Sequence, residues 1–503
     1  PTSTPTPSPK PTPPAPPTPP PPPSPPTSPS PSAAPSPTPS GGVKGGQTNT
    51  FYFAEGFTGA GFQEDLYLFM PSNSGTATVT YFTATGQVYT QPVPLTAGIP
   101  VTLDVNAELA AYYPGGVEVS TQVAFPANGV AERKLSFNRN GWQGSTDVVG
   151  ATQTSNVWNF AEGSTLSVFS EYLTLENPNS SAVVATLNYF TDSGANPIKT
   201  VTLPASSRTT IPVFVGNPAN SQNCTPAVDC GIGVGLGGVS VQVQTDPSTP
   251  IVAERPMYVN GFGFQGPTPI HDGDVSAGAI AAAKTWDFAE GSTLPGFWEY
   301  LSLENPSGLS TNATLTYQLQ SGGPIAKAVP IAAHSRVTVE VFNPLYGVGS
   351  NQGGVSVHIA SDSQPIVAER PMYMAHDFGT GMVAGATVVV GSNGASSTFE
   401  FAQADTLVGD FDYLTLQNSG STDASVTIKN YNLNGQLNPT QVTVKANSRK
   451  TVQIFSDLGA IGTQSEMGLV IASTQPILVE KPTYSTLGNG GATDTTGFTP
   501  LTP

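Results

Sequence analysis

Charged residues are scarce in this chain of 503 residues: Asp, Glu, Lys and Arg together make up 10% of it, against roughly 25% in an ordinary soluble domain. The water-facing side is therefore expected to rely on Ser, Thr, Asn and Gln. With 17 basic against 34 acidic residues the formal net charge is −17. Phosphate backbones and anionic lipid surfaces would repel such a chain, which excludes nucleic acid as a partner. No run of about 18 apolar residues occurs, so no transmembrane helix is expected. Histidine is limited to four residues and cysteine to two, Cys224 and Cys230. These two cysteines lie six positions apart with no histidine near, too few ligands for a thiolate metal site. They are expected to form a local disulfide, which implies an oxidising compartment. The sequence opens at Pro1 rather than at a methionine and reads as a mature or truncated piece.

What the chain does have is proline and glycine, 50 and 53 residues respectively. Residues 1–40 hold 21 of the prolines, interleaved with Ser, Thr and Ala, with Lys10 as the lone charge. Proline fixes φ and has no N–H, so segment 1–46 is expected to be an extended polyproline-II or disordered stalk. At about 3.1 Å per residue it would act as a semi-rigid spacer. Beyond it the sequence repeats. FYFAEG at Phe51, WNFAEGST at Trp158, WDFAEGST at Trp286 and FEFAQADT at Phe399 open four copies offset by 107 to 128 residues. Inside the copies stand EYLTLENP from Glu171, EYLSLENP from Glu299, DYLTLQNS from Asp412 and EDLYLFMP from Glu64. They end on AERKLSF, AERPMYV, AERPMYM and VEKPTYS. This period is far longer than that of solenoid repeats, so each copy is expected to be a domain: 47–155, 156–283, 284–397 and 398–503.

Within the second copy, seven short segments rich in Val, Ile, Thr, Tyr and Phe run from Trp158–Glu162 to Ile251–Val259. Turn residues such as Asp192-Ser193-Gly194 and Asp246-Pro247-Ser248 separate them, and no helical period intervenes. Seven strands in about 110 residues predict an all-β fold of four tandem immunoglobulin-like β-sandwiches. The FAEGST, YLTLxNP and AERPMY motifs resemble those of a family of bacterial secreted and cell-surface repeats of uncharacterised function, from Phe51 to about Gly497. That resemblance implies an extracellular β-rich repeat and carries no activity with it.

With so few charges, those that recur between copies stand out. Glu55, Glu162 and Glu290 hold the FAE position, where the fourth copy has Gln403. Arg133, Arg255 and Arg370 hold the AER position, where the fourth copy has Lys481. The joint change suggests that the first and last strands of each sandwich are tied by Glu55–Arg133, Glu162–Arg255 and Glu290–Arg370 pairs. Glu176 with Arg208 and Glu304 with Arg336 form a second expected set. An acid that faces an arginine makes a poor general acid, which argues against glycoside hydrolysis and against an enzyme. No cofactor is expected. At the connections between copies, Asp147, His271, Asp272, His376 and Asp377 read as turn residues, with a calcium or transition-metal site as the alternative. Phe297-Trp298 is the candidate for a sugar contact. The leading reading is a non-catalytic, secreted or surface-displayed bacterial protein that binds a cell wall, a glycan, a protein ligand or copies of itself. A carbohydrate-binding accessory region, or a filament subunit assembled by strand addition, are the alternatives.

Overall fold

The β-branched and aromatic segments separated by turn residues form strands throughout the computed structural model. It describes residues 50–500 apart from 140–141, 195, 217–222, 264–267, 321–322, 380, 459–465 and 488–489. The chain falls into two units, Pro1–Thr38 and Pro39–Pro503. All described residues belong to the second, and the proline-rich segment 1–46 lies outside them. The fold is all-β, with sandwich repeats as expected. In the second copy the strands are Val157–Phe160, Phe169–Asn177, Val183–Thr191, Ile198–Leu203, Ser207–Pro212, Val239–Gln244, Val252–Phe262 and Ile270–Ala277. Seven coincide with the expected segments, with ends shifted by a few residues. The eighth, Ile270–Ala277, occupies what the sequence suggested was a connection.

Counted one to eight within a copy, the strands form two antiparallel sheets ordered 1-6-3-4 and 5-2-7-8 in each of the first three copies. The 2–5 and 3–6 pairings are those of an immunoglobulin-like sandwich. The first, fourth and seventh strands have changed sheets. In the fourth copy the sixth and seventh strands merge into one strand, Gly468–Ser485, which joins both sheets. The first and fourth copies also carry a one-turn helix, Val105–Leu109 and Ile454–Asp457. The Asp104 carboxylate caps the former by accepting the N–H of Ala107 at 2.9 Å.

Each sandwich has its own apolar core. In the second, Trp158, Phe160, Leu173, Leu187, Tyr189 and Val241 are all buried between the two sheets. The copies do not follow one another as separate beads, however. The eighth strands, Trp142–Val149, Ile270–Ala277, Met382–Val390 and Gly491–Thr496, lie side by side, each against two others, and the fourth returns to the first. Four sandwiches therefore close into a ring around an axis lined by these strands. Further apolar clusters fill the junctions. Phe169, Met257 and Ile270 of the second copy meet Tyr373, Ala386 and Val388 of the third.

Candidate functional site

The recurrent charges lie in the seams of this ring. Side chains of neighbouring strand residues point to opposite sheet faces. In the AER motif of the seventh strand, Glu and Arg therefore face different neighbours. Arg133 Nη1 lies 2.8 Å from Glu254, Arg255 Nη1 3.1 Å from Glu369, Arg370 Nη1 3.0 Å from Glu480, and Lys481 Nζ 3.2 Å from Glu132. Each cation reaches the next copy, and the fourth reaches the first, so the ion pairs run in a closed circuit. All eight side chains are fully buried. Each cation also sits 5.4–6.0 Å from the phenylalanine ring of its own FAE motif. A proline follows Arg255, Arg370 and Lys481. The ladder to the second strand skips there, since proline offers no N–H, whereas Arg133, followed by Lys134 in an unbroken ladder, makes the same contact.

This corrects the expected pairing. Arg133 and Arg255 donate to the backbone carbonyls of Glu55 and Glu162, and Arg370 to that of Glu290, rather than to their carboxylates. The carboxylates are taken by the following copy: Glu55 pairs with Arg208 at 3.0 Å, Glu162 with Arg336 at 3.3 Å and Glu290 with Arg449 at 3.2 Å. Glu176 does sit opposite Arg208 in the ladder, and Glu304 opposite Arg336. Their carboxylates nonetheless form no ion pair among the described residues, because the arginines extend across the seam. Glu176 instead accepts from Gln122 of the first copy. The glutamates the sequence reading passed over, Glu132, Glu254, Glu369 and Glu480, are the ones that recur in all four copies. That was the available signal.

The interior is rich in acids: more than half of the 34 acidic residues are buried, and nearly half of the 17 basic ones. Glu64, Glu171 and Glu299 begin the second-strand motif and press against Gly56, Gly163 and Gly291. A Cβ on Gly163 would stand 2.6 Å from a Glu171 carboxylate oxygen and 2.6 Å from the Val239 carbonyl. In the fourth copy the glycine is Ala404 and the glutamate is the shorter Asp412, so one carbon has moved from one side chain to the other. Burial pushes Glu64 and Glu171 up to about 8, against an opposing lowering by Arg133 and Arg255 respectively. Glu176 is raised to about 8 by the same cause. Burial thus favours the neutral form of each of these acids.

The residues read as joint or metal ligands are separated. Asp147 lies 2.8 Å from Lys481. His271 Nδ1 meets Asn260 Oδ1 at 2.8 Å, and His376 Nδ1 lies 3.3 Å from the Pro295 carbonyl. Asp377 accepts the N–H of Gly379. Asp272 is buried at the axis, where three glycines, Gly144, Gly385 and Gly491, leave room for its carboxylate. It accepts the N–H groups of Gly273, Ala386 and Ala492 at 2.8–3.0 Å. Among the described residues no group of three or more His, Cys, Asp or Glu is placed to hold a metal ion. Cys224 and Cys230 are joined in a disulfide with Cα atoms 4.9 Å apart.

Phe297 and Trp298 do not form a platform, because adjacent strand residues face opposite ways. Phe297 is 7% exposed and packs with Met372, Met374 and Tyr484 at the seam of the third and fourth copies. Trp298 packs against the cluster between the second and third. A cavity of about 120 Å³, not foreseen from the sequence, lies at the axis, walled by Val148, Trp158, Val275, Ile280, Val388 and Thr495 among others. No helix among the described residues is long and apolar enough to cross a membrane.

No family model matches the chain, and no curated protein matches it. Among solved structures, a tetra-tandem repeat from the extending region of a large adhesion protein is 13% identical, covering 86% of this chain and 93% of that one, with a TM-score of 0.11. A glycoside hydrolase family 32 structure from Bifidobacterium adolescentis is 11% identical, covering 89% and 96%, with a TM-score of 0.14. At such scores neither likeness bears on function, and the chain is described by its own geometry.

Proposed function

We propose that this chain is a non-catalytic extracellular display module: a rigid ring of four sandwiches, carried on a proline-rich spacer at a bacterial surface or secreted from it. One observation supports this above others. Seven of the recurrent acids that would otherwise suggest an active site, Glu55, Glu132, Glu162, Glu254, Glu290, Glu369 and Glu480, each face a buried cation of another copy. The disulfide fits an oxidising compartment. The recurring FAEGST and AERPMY motifs fit the secreted bacterial repeats they resemble. Ligand contact falls to the outer loops, which present exposed apolar residues such as Val234, Leu309, Leu345 and Val408 among polar ones, and the partner is a wall polymer, a glycan or a protein surface. Gly491–Thr496 and Phe498 are used within the ring, the latter packing 5.0 Å from the Phe51 ring, so the alternative of strand addition would have to use another sheet edge.

Binding of the labelled full chain to glycan, peptidoglycan and matrix-protein arrays, run beside hydrolase assays on the same polymers, tests the proposal. Saturable binding without turnover is the expected result. Polysaccharide cleavage that co-purifies with the chain would overturn it.

A further inference from the structure

The four seams carry the same circuit but not the same chemistry. Three use arginine, whose delocalised guanidinium stays charged and is no nucleophile. The seam that closes the ring, between the fourth copy and the first, uses Lys481, an amine. Its Nζ lies 2.8 Å from Asp147 Oδ2, 3.2 Å from Glu132 Oε2 and 2.8 Å from Gln403 Oε1. Lys481, Glu132 and Asp147 are all buried, and the Phe401 ring covers the amine at 5.8 Å. In the seam between the third and fourth copies the same position as Asp147 is Asp494, and it faces Arg370. An ordinary ion pair thus needs no lysine there.

We infer that Lys481 and Asp147 condense to an intramolecular amide that closes the ring covalently, with Glu132 as the proton carrier. The Lys481 Nζ lone pair attacks Asp147 Cγ, a C–N bond forms, a C–O bond breaks, and one water leaves. No oxidant or co-reactant is needed. The Oε1 atom of Glu132 is fixed by the Ala402 N–H at 2.6 Å, which leaves Oε2 turned to the amine. Burial keeps Glu132 above the usual carboxylate range, against the opposing pull of Lys481, so it can hold a proton where a surface glutamate cannot. Asp147 Oδ1 has no hydrogen-bond partner. Lys481 is charged before reaction: burial opposes its proton, and Asp147, Glu132 and Asp412 outweigh that effect. Transfer of this proton to the Asp147 carboxylate, against the pull that keeps Lys481 charged, gives the neutral amine and neutral acid from which the attack proceeds. Glu132 gives its proton to the Asp147 carbonyl oxygen as the C–N bond forms. The Glu132 carboxylate then takes a proton from the newly bonded nitrogen and gives it to the departing hydroxyl, and as water leaves it takes back the proton on the carbonyl oxygen, which leaves a neutral amide and a protonated Glu132.

Intact mass spectrometry of the reduced, denatured full chain tests this, with proteolytic peptide mapping. The expected result is a mass one water below that of the sequence and a branched peptide joining Lys481 to Asp147. Lys481→Arg, which keeps the charge of the seam, should restore the full mass, and Glu132→Gln should slow the loss of water by at least a hundredfold. A wild-type chain of full mass overturns the inference, as does a water loss mapped to any other pair. Bond formation in Glu132→Gln at the wild-type rate overturns the role of Glu132.

Discussion

Removing one carboxylate from the buried circuit should damage the whole ring, and Glu369→Gln is the cleanest case. Glu369 is fully buried and accepts the Glu162 N–H at 2.8 Å and Arg255 Nη1 at 3.1 Å. Gln is nearly isosteric and keeps one acceptor oxygen, so the packing survives while the charge is lost. A hydrogen bond between charged partners contributes about 1.5–3 kcal/mol. Leaving Arg255 buried opposite a neutral amide raises the total cost to about 3–5 kcal/mol. Urea unfolding followed by the fluorescence of the buried Trp158 and Trp286 reports it as a lower midpoint with an unchanged slope. Replacing both partners with apolar residues, Arg255→Met with Glu369→Leu, should recover most of the loss. It should leave a residue of about 1–3 kcal/mol, because the Glu162 N–H then has no acceptor. The exposed Lys445–Asp423 pair is the control, and Asp423→Asn should leave the midpoint unchanged. If Glu369→Gln shifts the midpoint no further than that control, the buried circuit does not hold the copies together.

Three further outcomes follow from the same interior. Glu64, Glu171 and Glu176 are raised to about 8 by burial, so the folded chain keeps protons that the unfolded chain releases near pH 4.5. Their contribution is complete below pH 4.5 and lost as pH rises through about 8, so the urea midpoint should fall between pH 5 and pH 8.5. Glu171→Gln should flatten that slope, and a midpoint that rises over this range would contradict the assignment. Gly163→Ala should cost about 1–3 kcal/mol by overpacking against Glu171 and the Val239 carbonyl. Adding Glu171→Asp should recover part of it, reproducing the Ala404 and Asp412 of the fourth copy, and thermal melts of the three chains decide this. Asp272→Gly removes the acceptor of the Ala386 and Ala492 N–H groups at the axis. It should lower the melting temperature, with partial rescue by added chloride.

The sandwiches were legible in the sequence because strand alternation and turn residues are local signals. The seven expected strands of the second copy all exist. The eighth was missed because HDGDVSAGA carries Gly and Asp, which belong to turns elsewhere. Here Gly273, like Gly144 and Gly385, admits the close approach of strands and side chains at the axis. The ring itself was hidden for a different reason. When copies are alike, a residue that pairs within its own copy and one that pairs with the next leave the same pattern in the sequence. Glu162 with Arg208 and Glu55 with Arg208 are equivalent on paper. The sequence held one discriminating sign. Gln403 replaces the charged FAE glutamate in the fourth copy, and Pro100 stands in the first copy where Arg208 stands in the second, so both members expected at the closing seam are uncharged. Arg449 is kept because its partner is Glu290 of the third copy. Pairing within copies leaves Arg449 opposite Gln417 unexplained.

Closure of the ring is tested most directly by a distance between its first and fourth copies. Ser72 and Leu433 are exposed and flank the closing seam, where the Phe69 and Tyr431 rings stand 5.2 Å apart. Both native cysteines are engaged in the disulfide, so nitroxide labels on Ser72→Cys and Leu433→Cys would be the reporters for double electron–electron resonance on the full chain. A closed ring predicts one short, narrow distance. Four sandwiches strung end to end would put the labels roughly 100 Å apart, and the absence of a dipolar signal would contradict the ring.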